Sequence, residues 1–80
     1  MASIKVHLTF PEKLIKDPVI YNLGKQYNVV TNIRRANVDQ KVGWVDLELT
    51  GTEEDMKEGI KYLESLEVEV DLIEGDIVES

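Results

Sequence analysis

The sequence predicts an α+β fold in which four antiparallel strands form one sheet and two helices cover one of its faces. Two segments, Ile4 to Phe10 and Trp44 to Leu49, alternate apolar and polar residues, which is the pattern of half-buried strands. Two further segments carry apolar residues at helical spacing, and the order of all elements is βαββαβ. Because right-handed crossovers are strongly preferred, both helices are expected on the same face of the sheet.

The first strand and first helix follow from residues 4 to 27. Pro11 ends the alternating segment, since proline cannot continue a sheet ladder. Asp17 is then an N-cap candidate with Pro18 at the first helical position, and we expect the helix to run from Pro18 to about Tyr27.

The second strand has two sets of apolar residues that do not share one register. Val29, Thr31 and Ile33 belong to one face, whereas Ala36 and Val38 belong to the opposite phase. A β-bulge near residues 34 and 35 would reconcile the two sets. Residues 39–43 then read as the turn of a hairpin that leads into the third strand.

The second half of the chain completes the pattern. Thr52 is the predicted N-cap of the second helix, and Met56, Ile60 and Leu63 form its apolar stripe. The last strand covers residues 68–72. This βαββαβ arrangement is a ferredoxin-like sandwich, for which the usual strand order is four-one-three-two.

The predicted fold leaves one sheet face without helices. The residues expected there are polar apart from one tryptophan: Lys5, His7, Thr9, Asn32, Arg34, Trp44, Asp46, Glu48, Glu69 and Asp71. We expect His7 to be an exposed imidazole without special contacts. Trp44 fits either an interface or a cover over the small sheet. With the usual strand order, His7, Trp44, Asn32 and Arg34 would form one patch, provided that Asn32 rather than Ile33 turns outward.

Composition limits the class of protein. The 80 residues form one domain, with a core from about 4 to 74 and a flexible tail from 75 to 80. The chain has no cysteine, which suits the cytoplasm and excludes disulfides. No apolar segment is long enough to enter a membrane. Residues 1–40 carry six Lys/Arg and three Asp/Glu, whereas residues 41–80 carry three and thirteen, so the acidic chain is not expected to bind nucleic acid.

Enzymatic chemistry is not expected. The chain has one histidine and no cysteine, and its carboxylates lie along predicted exposed faces, so no acid/base or nucleophilic group is positioned. A single histidine with scattered acids has no metal-ligand spacing. The five glycines lie apart, and no phosphate-binding loop is formed. We therefore predict no catalytic residue, no metal and no cofactor.

Asn32 is the most informative residue of the second strand. Strand interiors disfavour asparagine, and a buried amide costs about 1–3 kcal/mol when its hydrogen bonds are not made. Asn32 therefore needs an exposed position, a structural partner at a bulge or loop, or a ligand.

The chain resembles the NIL domain family, which is named for an Asn-Ile-Leu signature in its second strand. The resemblance covers residues 4 to about 74 and begins at Asn32-Ile33. The other similar segments are Leu8-Thr9-Phe10-Pro11, Asp17-Pro18-Val19-Ile20-Tyr21, Tyr27-Asn28-Val29, Ala36-Asn37-Val38, Gly43-Trp44-Val45-Asp46-Leu47-Glu48-Leu49, Gly51-Thr52, Tyr62-Leu63 and Val68-Glu69-Val70.

The resemblance implies a regulatory domain similar to the ligand-binding ACT domains. NIL domains occur in the ATPase subunits of methionine importers, where they pair as homodimers and bind methionine, and also before ferredoxin modules in sulfur metabolism. The implied ligand is therefore methionine or a related sulfur amino acid, bound by Asn32, Ile33 and Arg34 at or near the dimer interface. The implied partners are a second copy and an attached or separate transporter ATPase or ferredoxin module.

This sequence departs from the signature at Arg34, which occupies the position of its leucine. An apolar pocket loses one wall there, although a guanidinium suits a ligand carboxylate. The alternative function is a protein-interaction domain without a ligand, such as the N-terminal part of a NIL-ferredoxin protein. The segment 73–79 resembles the linker that leads into such a module.

Overall fold

The computed structural model describes residues 2–73 and 78–79, and it has the predicted α+β ferredoxin-like fold. The elements are β1 Ala2–Phe10, a 3-10 helix Glu12–Leu14, α1 Val19–Gln26, β2 Val30–Val38, β3 Gly43–Gly51, α2 Glu53–Ser65, β4 Glu69–Leu72 and β5 Val78–Glu79. No helix in the described ranges has the length and apolar character needed to cross a membrane.

The sheet is antiparallel, and its strand order β2-β3-β1-β4 is the predicted one. The short strand β5 also pairs with β1, through Ala2 to Glu79 and Ser3 to Val78. This pairing differs from the expected flexible tail. Because β5 pairs with a strand at the other end of the sequence, the local composition of the tail did not indicate this pairing. The expectation for residues 75–77 and 80 lies outside the described residues.

The core lies between the sheet and the two helices. Alternation along β1 and β3 gives each strand one buried face, and register places Val6 beside Leu47 and Leu8 beside Val45. The buried apolar residues are Ala2, Ile4, Val6, Leu8, Val19, Leu23, Val29, Val45, Leu47, Leu49, Met56, Leu63 and Val68. The alternation predicted for both strands is thus confirmed.

The predicted bulge and hairpin are both present. The β2–β3 register shifts between Ile33 and Arg35, which leaves Arg34 as the extra residue. In the following turn, the Asp39 carboxylate accepts hydrogen bonds from the backbone N–H groups of Lys41 and Val42, at 2.8 and 2.7 Å. These bonds hold the pKa of Asp39 below its usual value.

The two helix starts differ from each other. Thr52 caps α2 as predicted, since its Oγ1 accepts a hydrogen bond from the Asp55 N–H at 3.0 Å. The prediction of Asp17 as N-cap of α1 is wrong, because Pro18 occupies that position and no side chain caps the helix. Helix α1 therefore begins at Val19, one residue later than expected.

The connection from α2 to β4 uses a left-handed residue. Glu67 has φ 71°, and the N–H groups of Glu67 and Val68 donate to the carbonyls of Glu64 and Leu63. This is the hydrogen-bond pattern of a Schellman motif, in which glycine is the usual residue at that position. The motif turns the chain so that Val68 is buried and β4 begins at Glu69.

Candidate functional site

The sheet face away from the helices is called the open face here. On β2, register pairs Asn32 with Glu48, Arg35 with Asp46, and Asn37 with Trp44. Since cross-strand partners point to the same side, these side chains share the open face with alternate residues of β1 and β4. The predicted open-face residues thus lie where expected, and Arg35 and Asn37 join them.

Asn32 faces outward and Ile33 does not. Ile33 pairs with the fully buried Leu47, so it points toward the helix side, although it is 53% exposed because the edge of the sheet is poorly covered. The Asn32 side chain is exposed and has no hydrogen-bond partner in the part of the chain that the structure describes. The Asn32 amide therefore makes no structural hydrogen bond between the bulge and any residue that the structure describes.

The two arginines at the bulge are held differently. Arg35 donates from Nε and Nη2 to one oxygen of Asp46, at 3.0 and 2.9 Å. Arg34 makes one longer contact, from Nη1 to Glu48 Oε1 at 3.4 Å, and its side chain is 53% exposed. The Arg35 side chain is the more exposed of the two, at 76%, but its guanidinium is held by two hydrogen bonds to Asp46. The guanidinium of Arg34 has only one longer contact to give up to a carboxylate from outside.

Asp46 is the centre of a cluster with His7, Arg35 and Trp44, called the Asp46 cluster here. Asp46 is 5% exposed, and its Oδ1 lies 2.6 Å from His7 Nδ1. An ionised carboxylate only accepts hydrogen bonds, so His7 donates from Nδ1. The imidazole also stacks on Trp44, with ring centroids 5.3 Å apart, and the Arg35 guanidinium lies 6.0 Å from the Trp44 ring.

The expectation that His7 makes no special contacts is therefore wrong. The hydrogen bond from His7, and to a smaller extent the bonds and charge of Arg35, hold the pKa of Asp46 below its usual value despite its desolvation. Both carboxylate oxygens are used, one by His7 on β1 and one by Arg35 on β2. The cluster thus joins three strands and keeps a buried charge satisfied.

Sequence reasoning missed Asp46 and Arg35 as a pair. The available signal was the bulge itself, because an extra residue at position 34 moves Arg35, rather than Arg34, into register with Asp46. Trp44 and His7 belong to the patch predicted from sequence, and their contact is present in the structure.

An apolar cleft of about 190 Å³ lies at the other end of β2, next to Val38. It is open to the surface between the start of α1 and the β2–β3 hairpin. The lining residues are Phe10, Leu14, Ile15, Asp17, Pro18, Val19, Ile20, Tyr21, Val38, Gly43 and Val45. None of Asn32, Ile33 and Arg34 lines it. No group of three or more metal-ligating side chains occurs among residues 2–73 and 78–79.

The fold and the polar open face define a small ferredoxin-like domain with an exposed, arginine-bearing edge strand. The family model described as NIL domain matches residues 5–72, and the chain therefore belongs to the NIL domain family. It is similar to a solved structure described as the C-terminal domain of an ABC transporter ATP-binding protein from Enterococcus faecalis. That likeness has a TM-score of 0.77 and 27% identity over 91% of this chain and 86% of the other. No curated protein matches the chain.

Proposed function

We propose that this NIL domain is a non-enzymatic regulatory domain that binds a small sulfur amino acid, methionine in the first instance, at the outer strand β2. Binding is passed to an attached or partner module, for which a transporter ATPase is the first candidate because of the likeness to an ABC ATP-binding protein. The proposal includes a cytoplasmic location, which the lack of cysteine suits.

The observation that carries this proposal is the state of Asn32. Its amide is exposed on the open face without a partner among the described residues, and Asn32 stands at the position that resembles the asparagine of the family's signature. Of the three explanations for asparagine in a strand, a structural tie has no support from the described contacts. An exposed amide can donate to and accept from an amino-acid ligand.

Arg34 is the second proposed contact. The methionine carboxylate requires a cation, and a guanidinium binds a carboxylate through two parallel hydrogen bonds. Arg34 gives up only one contact of 3.4 Å to Glu48 when it turns to a ligand, whereas Arg35 would have to break two shorter hydrogen bonds to the buried Asp46. Ile33 points to the helix side of the sheet but is half exposed at the uncovered edge, so it offers apolar surface to a thioether that extends around the edge of β2.

A second copy of the domain belongs to the proposal. Amino-acid sites usually bury most of the ligand surface, but β2 is exposed along nearly its whole length. A ligand at Asn32 therefore needs a further surface to exclude water, which a homodimer supplies. Coupling to the attached module would then be a difference in ligand affinity between two dimer states, typically about 1–3 kcal/mol.

The exposure of β2 also favours a second candidate function. A nine-residue edge strand exposed in this way equally suits a protein-interaction domain without a small ligand. In that case the attached module would be of another kind, such as a ferredoxin module.

A ligand titration in which backbone amide chemical shifts are measured distinguishes the ligand-binding domain from the protein-interaction domain. Methionine, homocysteine and leucine are added separately to the labelled domain and to the variants Asn32→Ala and Asn37→Ala. Asn37 is the matched control, because it is an exposed asparagine on the same face of the same strand.

We expect saturable methionine-selective shifts around residues 32–37. The affinity should fall at least about tenfold in Asn32→Ala, since one ligand hydrogen bond to a buried site is worth about 1.5 kcal/mol or more, and should be retained in Asn37→Ala. The absence of shifts with millimolar ligand in folded protein supports the interaction domain. Equal affinity in Asn32→Ala and the parent removes Asn32 from the site.

A further inference from the structure

A row of four side chains crosses the open face from one edge to the other. Register places Arg35 beside Asp46, Asp46 beside His7, and His7 beside Asp71. The row thus begins with a cation on β2 and ends with a carboxylate on β4. Neither Asp71 nor its neighbour Glu69 has an ion-pair partner within the described ranges.

The neighbouring rows also carry complementary groups on the two sides of the midline between β3 and β1. One row runs from Asn37 through Trp44 and Thr9 to Glu69, and in the other Glu48 lies beside Lys5. On the outer strands, Arg35 and Asn37 of β2 are matched by Asp71 and Glu69 of β4. On the inner strands, the carboxylates of Asp46 and Glu48 on β3 are matched by His7 and Lys5 on β1. When the open face of a second copy is turned so that its β4 side lies against the β2 side of the first, groups of opposite charge meet.

A two-fold axis that runs parallel to the strands, between β3 and β1, produces this arrangement. When two open faces meet around it, Arg35 faces Asp71 of the second copy, and Asp46 faces His7. In the adjacent rows Trp44 faces Thr9, and Glu48 faces Lys5. We propose that the open face is the dimer interface of this domain and that its occupant is a second copy in this two-fold arrangement.

The competing arrangement joins the edges of two β2 strands. Antiparallel pairing of β2, residues 30–38, around its own centre brings Arg34 and Arg35 close to the same residues of the second copy, and like charges across strands are unfavourable. The bulge also interrupts the ladder that edge pairing needs. The two-fold axis of the β2 edge arrangement does not intersect the two-fold axis of the open-face arrangement. A protein that used both contacts would therefore form an open chain of copies rather than a closed dimer.

The size of the open face sets the expected affinity. Three strands of nine residues and the four-residue β4, about 4.8 Å apart and rising about 3.3 Å per residue, give a flat area of about 490 Å². This is below the roughly 800 Å² that each partner contributes to a standard interface. We therefore expect a dimer with micromolar dissociation constant whose affinity depends on the facing charges. The inference rests on the homodimer in the proposed function, and it adds the surface and the symmetry.

Sedimentation velocity over a concentration series tests the facing charges. Asp71→Arg places two cations opposite each other at two symmetric positions, so the dimer should weaken about tenfold or more. Glu64→Arg is the matched control, because it makes the same change in net charge at an exposed residue of α2, away from the open face. Its dissociation constant should stay within about threefold of the parent.

Spin labels give a second measurement that does not depend on Asp71. The chain has no cysteine, so Thr50→Cys on β3 and Val30→Cys on β2 each carry one label, and the two residues are cross-strand neighbours. In the proposed dimer, the Thr50 labels are closer to each other than the Val30 labels, because β3 is nearer the axis. Edge pairing through β2 gives the opposite order.

The outcomes separate this inference from the proposed function. A dimer that Asp71→Arg and Glu64→Arg affect equally, or a shorter distance for the Val30 labels, overturns the open-face interface and leaves the homodimer in place. A parent chain that remains monomeric at millimolar concentration overturns the interface and the homodimer together. Methionine binding is judged separately, by the amide shifts.

Discussion

Strands β2 and β3 have nine residues each and pair with each other along their length, but their environments differ. On β3, Val45, Leu47 and Leu49 are buried, and even the open-face residue Asp46 is covered. On β2, only Thr31 is partly buried and the other residues are exposed. The chain thus uses the side chains of β3 to specify the fold, while those of β2 are largely available for binding.

The difference follows from the position of the two strands. β3 lies inside the sheet and under the helices, whereas β2 is the outer strand next to the short helix α1, which has eight residues compared with thirteen in α2. Only Val19 and Leu23 of α1 are buried. A strand with little cover gains little from apolar side chains, so polar residues such as Asn32 cost little stability there.

The largest expected effect tests this contrast directly. Leu47 and Ile33 are cross-strand partners, with 0% and 53% exposure. Leu47→Ala should lower the free energy of unfolding by about 2–5 kcal/mol, because it leaves a cavity in the core. Ile33→Ala should cost about 1 kcal/mol or less. Urea unfolding of both variants gives the comparison, and losses of similar size would mean that β2 contributes to the core as much as β3 does.

The second prediction concerns the Asp46 cluster, which joins the two strands. The pKa of Asp46 is lowered in the folded state by His7 and Arg35, so its stabilising contribution is present above the unfolded pKa of about 3.9. The contribution is lost as the pH falls through the lowered folded value. Asp46→Asn should therefore destabilise the domain at neutral pH, and the difference from the parent should shrink in acid.

Urea unfolding of Asp46→Asn and the parent between neutral pH and about pH 2 measures this change. The other carboxylates with lowered pKa, Asp39 and Glu67, are present in both proteins, so their contributions cancel in the difference. A difference that stays constant as the pH falls would show that the charge of Asp46 does not stabilise the fold.

The smallest expected effect compares two helical glycines, Gly24 beside β2 and Gly59 at the contact between the two helices. A Cβ at Gly24 on α1 would lie 3.8 Å from Thr31 of β2, which is ordinary contact, whereas a Cβ at Gly59 on α2 would lie 3.1 Å from Leu23 Cδ1. Gly24→Ala should stabilise the domain by about 0.5–1 kcal/mol through helix propensity. Gly59→Ala should gain less, because Leu23 must move. Thermal unfolding ranks the two, and the reverse order would contradict the looser packing near β2.

Much of the fold could be predicted from local sequence. Alternation identified β1 and β3, the phase change after Ile33 identified the bulge, and Thr52 identified the start of α2. These features depend on residues within a few positions of each other. Asp17 misled the prediction, because a favourable residue type next to proline does not ensure that its side chain reaches the helix backbone. Glu67 gave no signal, because a left-handed conformation is unusual for glutamate.

The candidate site was predictable only in part. The sequence directed attention to Asn32, Ile33 and Arg34, and the structure places Asn32 outward and Ile33 toward the helix side. Whether these residues bind a ligand stays a prediction. The distinction between Arg34 and Arg35 required the register, because the bulge decides which of two adjacent identical side chains lies opposite Asp46.

By itself the sequence determined the order of elements and the face on which the residues of β1 and β3 lie, because these follow from short-range periodicity and turn chemistry. Only the tertiary structure decided that Asp46 is buried and charged, since its partners His7 and Arg35 lie 39 and 11 residues away. The tertiary structure also decided that β5 pairs with β1 and that one row of side chains crosses the open face from the cation of Arg35 to the carboxylate of Asp71. Strand order and register decide which charged side chains become neighbours. The sequence of one strand does not determine either of them.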